Sequence, residues 1–192
     1  VEPFPVMRLS AITHRRDPLY LTTVTGRPPD EPSVIGEVFN TLALPVIRAQ
    51  IPEVTDLWLP PAACSYRMAV VQIDKRYPGQ ARRVMLALWG MLAQFSYTKT
   101  IVVVDRDIAV RDWSDVMWAI ATRVQAEKDI HLIQGAKGAI LDPTSDPKTF
   151  TLTKMGIDAT KPDDRDFATR LSISDEQRAR VRDILKKSGI AS

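Results

Sequence analysis

Four acids, Asp105, Asp107, Asp112 and Asp115, follow a run of β-type residues at 100–104. Carboxylates at the carboxyl edge of a buried strand have the oxygen ligands that a hard cation takes. The same residue types also make turns and helix caps, and Asp112 suits an N-cap ahead of Trp113. Arg27, Asp30 and Glu31 crowd a loop stiffened by Pro28, Pro29 and Pro32. There Glu31 is a candidate positioned acid and Arg27 a candidate clamp for a carboxylate or phosphate; the alternative is an ion pair that caps a helix. Lys137, Lys148, Lys154 and Lys161 form a basic set that either faces an anion or is merely solvated. Cys64 has Arg67 nearby, but a lone cysteine is more often a small structural hydrophobe than a nucleophile. His14 and His131 fit no metal-ligand spacing, and neither a phosphate-cradling glycine loop nor a nucleophile elbow is present.

These residues must be positioned by elements that the periodicity predicts. Residues 6–14 and 19–25, with a turn at Asp17-Pro18, read as an antiparallel hairpin that needs a sheet partner, for which upstream chain is the natural source. A helix is predicted over 32–50, with Val34, Val38, Leu42 and Val46 on its apolar side and Pro45 kinking it or ending it early. Strands follow at 54–59 and 66–74. A helix spans about 80–95, with Ala81, Val84, Met85, Leu88, Leu92 and Phe95 in helical period. Residues 100–104 read as a central strand covered on both faces. A helix then runs from Asp112 to about Val124, and a strand covers 129–133. Residues 135–172 show no period and read as one long loop. Ser174 and Gln177 form a capping box for a last helix with a thin stripe of Val181, Ile184 and Leu185, which suits docking on a neighbour. The fold class expected is α/β: a mixed β-sheet with packed helices, preceded by a β-hairpin and a long linking helix.

The bulk composition narrows the function classes. The 192 residues carry 26 basic and 23 acidic side chains, a net charge of +3 with no basic block, so nucleic acid is not an expected partner. One cysteine excludes a disulfide framework and fits a reducing, cytoplasmic compartment. No apolar run reaches the roughly 20 residues of a membrane span.

Several stretches, in order, resemble the UbiD family of decarboxylases: Thr25-Gly26-Arg27-Pro28-Pro29-Asp30-Glu31-Pro32, then Leu59-Pro60-Pro61 with Cys64-Ser65-Tyr66-Arg67, then Tyr97-Thr98-Lys99. The run from Arg111 through Asp112-Trp113-Ser114-Asp115 to Arg123 is the most specific, and Lys154-Met155-Gly156-Ile157-Asp158-Ala159-Thr160 completes the series. The similarity covers about residues 5–160.

The resemblance implies a reversible decarboxylase of aromatic or α,β-unsaturated acids that uses prenylated FMN with Mn2+ and K+. It also implies a homo-oligomer, dimer or hexamer. Residues 1–29 would be the terminal hairpin of a truncated central β-barrel-like domain, 30–51 the linking helix, and 52–192 the C-terminal α/β domain that dimerises and closes the active site. Ile35, Ala139 and Leu141 would line the substrate pocket. Arg27, Asp30, Glu31 and Lys154 would be structural or near the cofactor. The family's catalytic Arg and two Glu, and its metal ligands, would precede Val1, so neither a catalytic nor a metal residue is expected here. This chain would hold no cofactor and be inactive alone without the N-terminal part of the same polypeptide. Ala93 stands where relatives carry a basic residue near the cofactor phosphate. The alternative is a non-enzymatic oligomerisation or binding module.

Overall fold

The computed structural model describes residues 4–28, 30–91, 93–164, 166–168, 171 and 173–189. Val1–Pro3, Pro29 and Leu92, the last expected on a helix core face, lie outside the described residues.

Helix α1 (Glu31–Gln50) begins at Asp30, which accepts from the Ser33 amide at 3.1 Å while Ser33 Oγ accepts from the Asp30 amide at 2.9 Å. This reciprocal pair satisfies two otherwise orphaned donors. Of the two outcomes expected for Pro45, a kink or an early end, the early end does not occur: the helix continues to Gln50. Pro45 is exposed, so the carbonyl it leaves unbonded reaches water, while Ile47 and Ile51 are anchored in the core. The apolar side is also not the expected one. Val34, Val38, Leu42 and Val46 face outward, and the buried side is Ser33, Gly36, Asn40, Ala43 and Ile47. Asn40 is buried because its side-chain oxygen accepts the Leu59 amide at 2.8 Å, which joins the helix to the strand that follows.

Five strands form one mixed sheet: β1 (Val54–Trp58), β2 (Met68–Ile73), β3 (Thr100–Asp105), β4 (Ile130–Lys137) and β5 (Thr151–Ala159), in the order β1-β2-β3-β5-β4. β2, β3 and β5 run parallel, and β1 and β4 close the edges antiparallel. Helices α2 (Gln80–Met91), α3 (Trp113–Arg123), α4 (Ala126–Asp129) and α5 (Asp175–Lys187) complete the set. Alternation along the strands sorts the core into two layers. Ala69, Val71, Ile73, Ile101 and Val103 pack with α1 and α2 residues such as Ile47, Met85 and Leu88. Val70, Val102, Val104 and Ala159 pack with Val116 and Ala119 of α3. The central strand at 100–104 is therefore covered on both faces, as its composition requires.

Two further expectations fail. Residues 4–28 contain neither strand nor helix, and their apolar side chains, Val6, Leu19 and Leu21 among them, are exposed. A two-stranded hairpin without a sheet to join is marginal in water, and no strand among the described residues pairs with this segment. His14 therefore lies outside any strand. The stretch 135–172 is not one loop either. β4 extends to Lys137, and β5 sits inside the sheet between β3 and β4. Its buried positions include Lys154 and Gly156, so an apolar alternation never shows. A Cβ on Gly156 would stand 2.4 Å from Met85 Sδ, so any side chain there would force the flexible Met85 thioether of α2 to move.

Candidate functional site

The turn Ser65–Arg67 precedes β2, and the turn Phe95–Tyr97 precedes β3. Because β2 and β3 are parallel and in register, Met68 beside Thr100, the two turns stand side by side at one end of the sheet. The loop after β4 reaches the same end. It is folded on its own backbone: the Asp142 amide donates to Ala139 O at 2.9 Å, and the Gly138 amide to Phe150 O at 2.8 Å. Together these segments line a concavity of about 310 Å³, walled by Tyr66, Arg67, Tyr97, Lys137, Ala139 and Phe150 among others. A second concavity, of about 360 Å³, lies between α1 and the turns and is lined by Ile35, Phe39, Leu59 and Gln94. Tyr66 borders both.

The structure thus brings two of the expected pocket residues together and sets the third next door. Ala139 is 7% exposed and Leu141 81% exposed in the first concavity, and Ile35, 59% exposed, lines the second. Sequence reasoning singled out neither Tyr66, Tyr97 nor Phe150 as wall residues. They come from three separate segments, and only the parallel register aligns them.

Asp142 holds the loop. Its side chain is 6% exposed and lies 3.5 Å from Lys99 Nζ and 4.0 Å from Arg67 Nη1. The Thr144 hydroxyl donates to its carboxylate at 2.7 Å and the Thr144 amide at 2.9 Å. Burial pushes this carboxyl up, but the Thr144 hydrogen bonds and the two cations outweigh it and hold the pKa below the usual value.

The other candidates have structural partners. Lys154 is buried, and its ammonium donates to Ser96 O at 2.7 Å and Thr98 O at 2.9 Å. Burial lowers its pKa to about 8. Asp30 is the N-cap of α1, Glu31 accepts the Thr23 hydroxyl at 2.6 Å, and Arg27 is exposed. Asp112 caps α3, accepting from Ser114, and Asp115 accepts the Ala109 amide at 2.7 Å. Asp105 and Asp107 share the buried Arg123, at 3.0 and 2.9 Å, and Asp107 also meets Lys161. Burial raises the Asp105 pKa. At Asp107 burial is outweighed by hydrogen bonds from Arg123 and Lys161, and its pKa is lowered. Arg82 contacts the His131 ring, whose pKa is lowered by burial and by that cation. Lys137 lies over Tyr97, and Cys64 is exposed. Among the described residues no group of three or more His, Cys, Asp or Glu is arranged to hold a metal, and no described helix is long and apolar enough to cross a membrane.

A bound flavin would need a cationic or amide cradle for its phosphate. Lys154 is already bonded to two carbonyls, and position 93 is an exposed alanine. Neither of these two side chains offers a free cation for that cradle.

The family model described as the 3-octaprenyl-4-hydroxybenzoate carboxy-lyase C-terminal domain matches residues 33–159. The fold is similar to HmfF, a UbiD-class enzyme from Pelotomaculum thermopropionicum solved in complex with FMN: 33% identity over 77% of this chain and 33% of that chain, with a TM-score of 0.66. It is also similar to vanillic acid decarboxylase from Sedimentibacter hydroxybenzoicus in its open form: 27% identity over 91% of this chain and 38% of that chain, with a TM-score of 0.71. An evolved dimeric form of HmfF in complex with prFMN matches at 30% identity over 77% of this chain and 30% of that chain, with a TM-score of 0.58. The chain spans about a third of the length of these solved relatives. A mixed five-stranded α/β domain that matches this family model over most of its length belongs to the UbiD carboxy-lyase family, as its C-terminal domain.

Proposed function

We propose that this chain is the C-terminal portion of a cytoplasmic carboxy-lyase that reversibly decarboxylates an aromatic or α,β-unsaturated acid with prenylated FMN. Ile35, Ala139 and Leu141 serve as pocket wall, and the loop bearing the last two closes over the substrate. The supporting observation is Tyr66, which borders both the Ile35 concavity and the Ala139 concavity and so makes one continuous wall of α1 and the loop. Apolar and aromatic walls grip the organic part of an acid, and closure expels water from around it. The groups that move protons, the Mn2+ and K+ sites and the flavin cradle are assigned to polypeptide outside these residues.

The test mixes the purified chain with prenylated FMN and a panel of aromatic acids, with and without the remaining portion of the enzyme. Carbon dioxide is expected only when both portions are present. Release by the chain alone overturns the division of labour. In the joined enzyme, Ala139→Phe should raise KM for bulky acids more than for small ones, because a ring then fills the wall.

A second reading, a non-enzymatic oligomerisation or binding module, is favoured by α5. That helix buries none of its residues, and Val181 and Ile184 on its stripe are exposed. In the first reading the same stripe is a dimer contact. An intact mass of the native gene product near 21.5 kDa favours the module, and a much larger one favours the enzyme.

A further inference from the structure

The concavity beside Ala139 has an unbalanced charge. Its wall includes two cations, Arg67 and Lys137, and no carboxylate. Both cations lie over aromatic faces: Lys137 Nζ is 4.9 Å from the Tyr97 ring centre and Arg67 Cζ is 5.2 Å from the Tyr66 ring centre. Behind the wall, Lys99 and Asp142 form the 3.5 Å pair already described. Three cations against that one acid leave two positive charges at the concavity. Arg67 Nη1 is buried and makes no hydrogen bond, so Asp142, 4.0 Å away, satisfies it only through charge. Arg67, with its side chain 19% exposed, attracts an anion more strongly than a freely solvated cation does, and exposed Lys137 adds its charge at the rim. The rest of the lining, Ala139, Leu141 and Phe150, offers apolar surface for the body of the same ligand.

We infer that Arg67 and Lys137 form an anion subsite in this concavity, which takes a second acidic substituent of the substrate's ring. The inference rests on the reading of this wall as part of an aromatic-acid pocket. A ring carboxylate and a phenolate share the required chemistry, and the test separates them.

The full chain, titrated by NMR in low salt with benzoate, 4-nitrophenolate and the neutral benzamide, should bind benzoate at least tenfold more tightly than benzamide. Shifts should centre on Tyr97, Lys137 and Ala139. The preference should vanish in Lys137→Gln, should weaken in Arg67→Gln, and should shrink at high salt, where exposed charges are screened. Tight binding of 4-nitrophenolate would extend the subsite to phenolates; weak binding would restrict it to carboxylates. Equal affinity for benzoate and benzamide, or a preference that survives Lys137→Gln, overturns the subsite. Lys137 is a surface residue whose replacement leaves the core intact, so this arm holds even if Arg67→Gln fails to fold. The joined enzyme separates the two claims. If it decarboxylates benzene-1,4-dicarboxylate and its monomethyl ester with equal KM, the subsite fails and the enzyme reading stands. If it releases carbon dioxide from no acid while the chain still prefers benzoate, the enzyme reading fails and the anion site stands.

Discussion

The Lys99 ammonium and the Asp142 carboxylate stand 3.5 Å apart, and this pair ties the approach to β3 to the loop that carries Ala139 and Leu141. Lys99 also donates to the Thr144 hydroxyl at 2.5 Å, so the cation grips the loop at two points. The loop's position is thus set by charge and hydrogen bonds more than by apolar packing, since Ile140 and Leu141 are both exposed.

Asp142→Asn keeps an oxygen for Thr144 and deletes the charge that Lys99 and Arg67 share. Hydrogen bonds to charged groups contribute about 1.5–3 kcal/mol, so a loss of roughly that size is expected. Amide exchange at Asp142, Thr144 and Ser145 should quicken while the sheet stays protected. The Asp142 pKa is lower folded than unfolded. Its contribution is therefore present above the unfolded value, about 3.9, and is lost as pH falls through the folded one. Acid unfolding of the Asn variant should lack that increment. Unchanged exchange at those three amides would mean that something else holds the loop.

Lys154 has linkage of the same sign in a different pH window. Its folded pKa, about 8, lies below the ordinary value of 10.5, so between those two pH values the unfolded chain binds more protons than the folded one. Stability should therefore rise as pH climbs through that window, as far as this group is concerned. Lys154→Met should flatten the rise. The replacement also leaves Ser96 O without this donor, whereas Thr98 O retains the Trp89 indole at 3.0 Å. Urea midpoints at pH 7.5, 9 and 10 read the slope. An identical slope in Lys154→Met and in the parent chain would show that the lysine is not the titrating group.

Arg123 separates a structural acid cluster from a cation site. Its side chain is fully buried between Asp105 and Asp107, and it lies 5.2 Å from the Trp118 ring and 5.6 Å from the Phe167 ring. Removing one partner of such a group strands charge, which costs about 3–5 kcal/mol for buried pairs and less here because both acids retain some exposure. Arg123→Met should lower the urea midpoint clearly. Mn2+ or Mg2+ at millimolar concentration should leave the parent chain's midpoint unchanged, since Arg123 and Lys161 already neutralise the two acids. Stabilisation of the parent by either ion would restore the hard-cation reading.

Much of this was legible in the sequence, for identifiable reasons. β3 and α3 were readable because their residues are typical of a doubly covered strand and a capped helix. Ser174 and Gln177 form the capping box that the spacing predicts. β5 was hidden because its inward positions carry Lys154 and Gly156, one satisfied by carbonyls and the other lying against the Met85 side chain of α2. Those are three-dimensional reasons, and no hydrophobic pattern encodes them. The pocket wall was legible only through the resemblance, at Ile35, Ala139 and Leu141. Its aromatic members depend on strand register, which the sequence does not display.

The linking helix shows most sharply how the two levels differ. Its strongest apolar repeat, Val34, Val38, Leu42 and Val46, faces outward, and a weaker set that includes Gly36 and Asn40 faces the core. The inward set is weak by composition because Asn40 bonds the Leu59 amide. Ile47 is the largest fully buried apolar side chain of the helix, with partly buried Phe39 and Leu44 packed against the same core. Ile47→Ala should therefore cost about 2–5 kcal/mol, the range for deleting a large buried aliphatic side chain. Val38→Ala should change the stability of the chain by roughly 0.5 kcal/mol or less, as surface substitutions do. Urea unfolding of the two variants side by side measures the difference. If Val38→Ala proves the more damaging in a chain shown to be monomeric, the helix is turned the other way round.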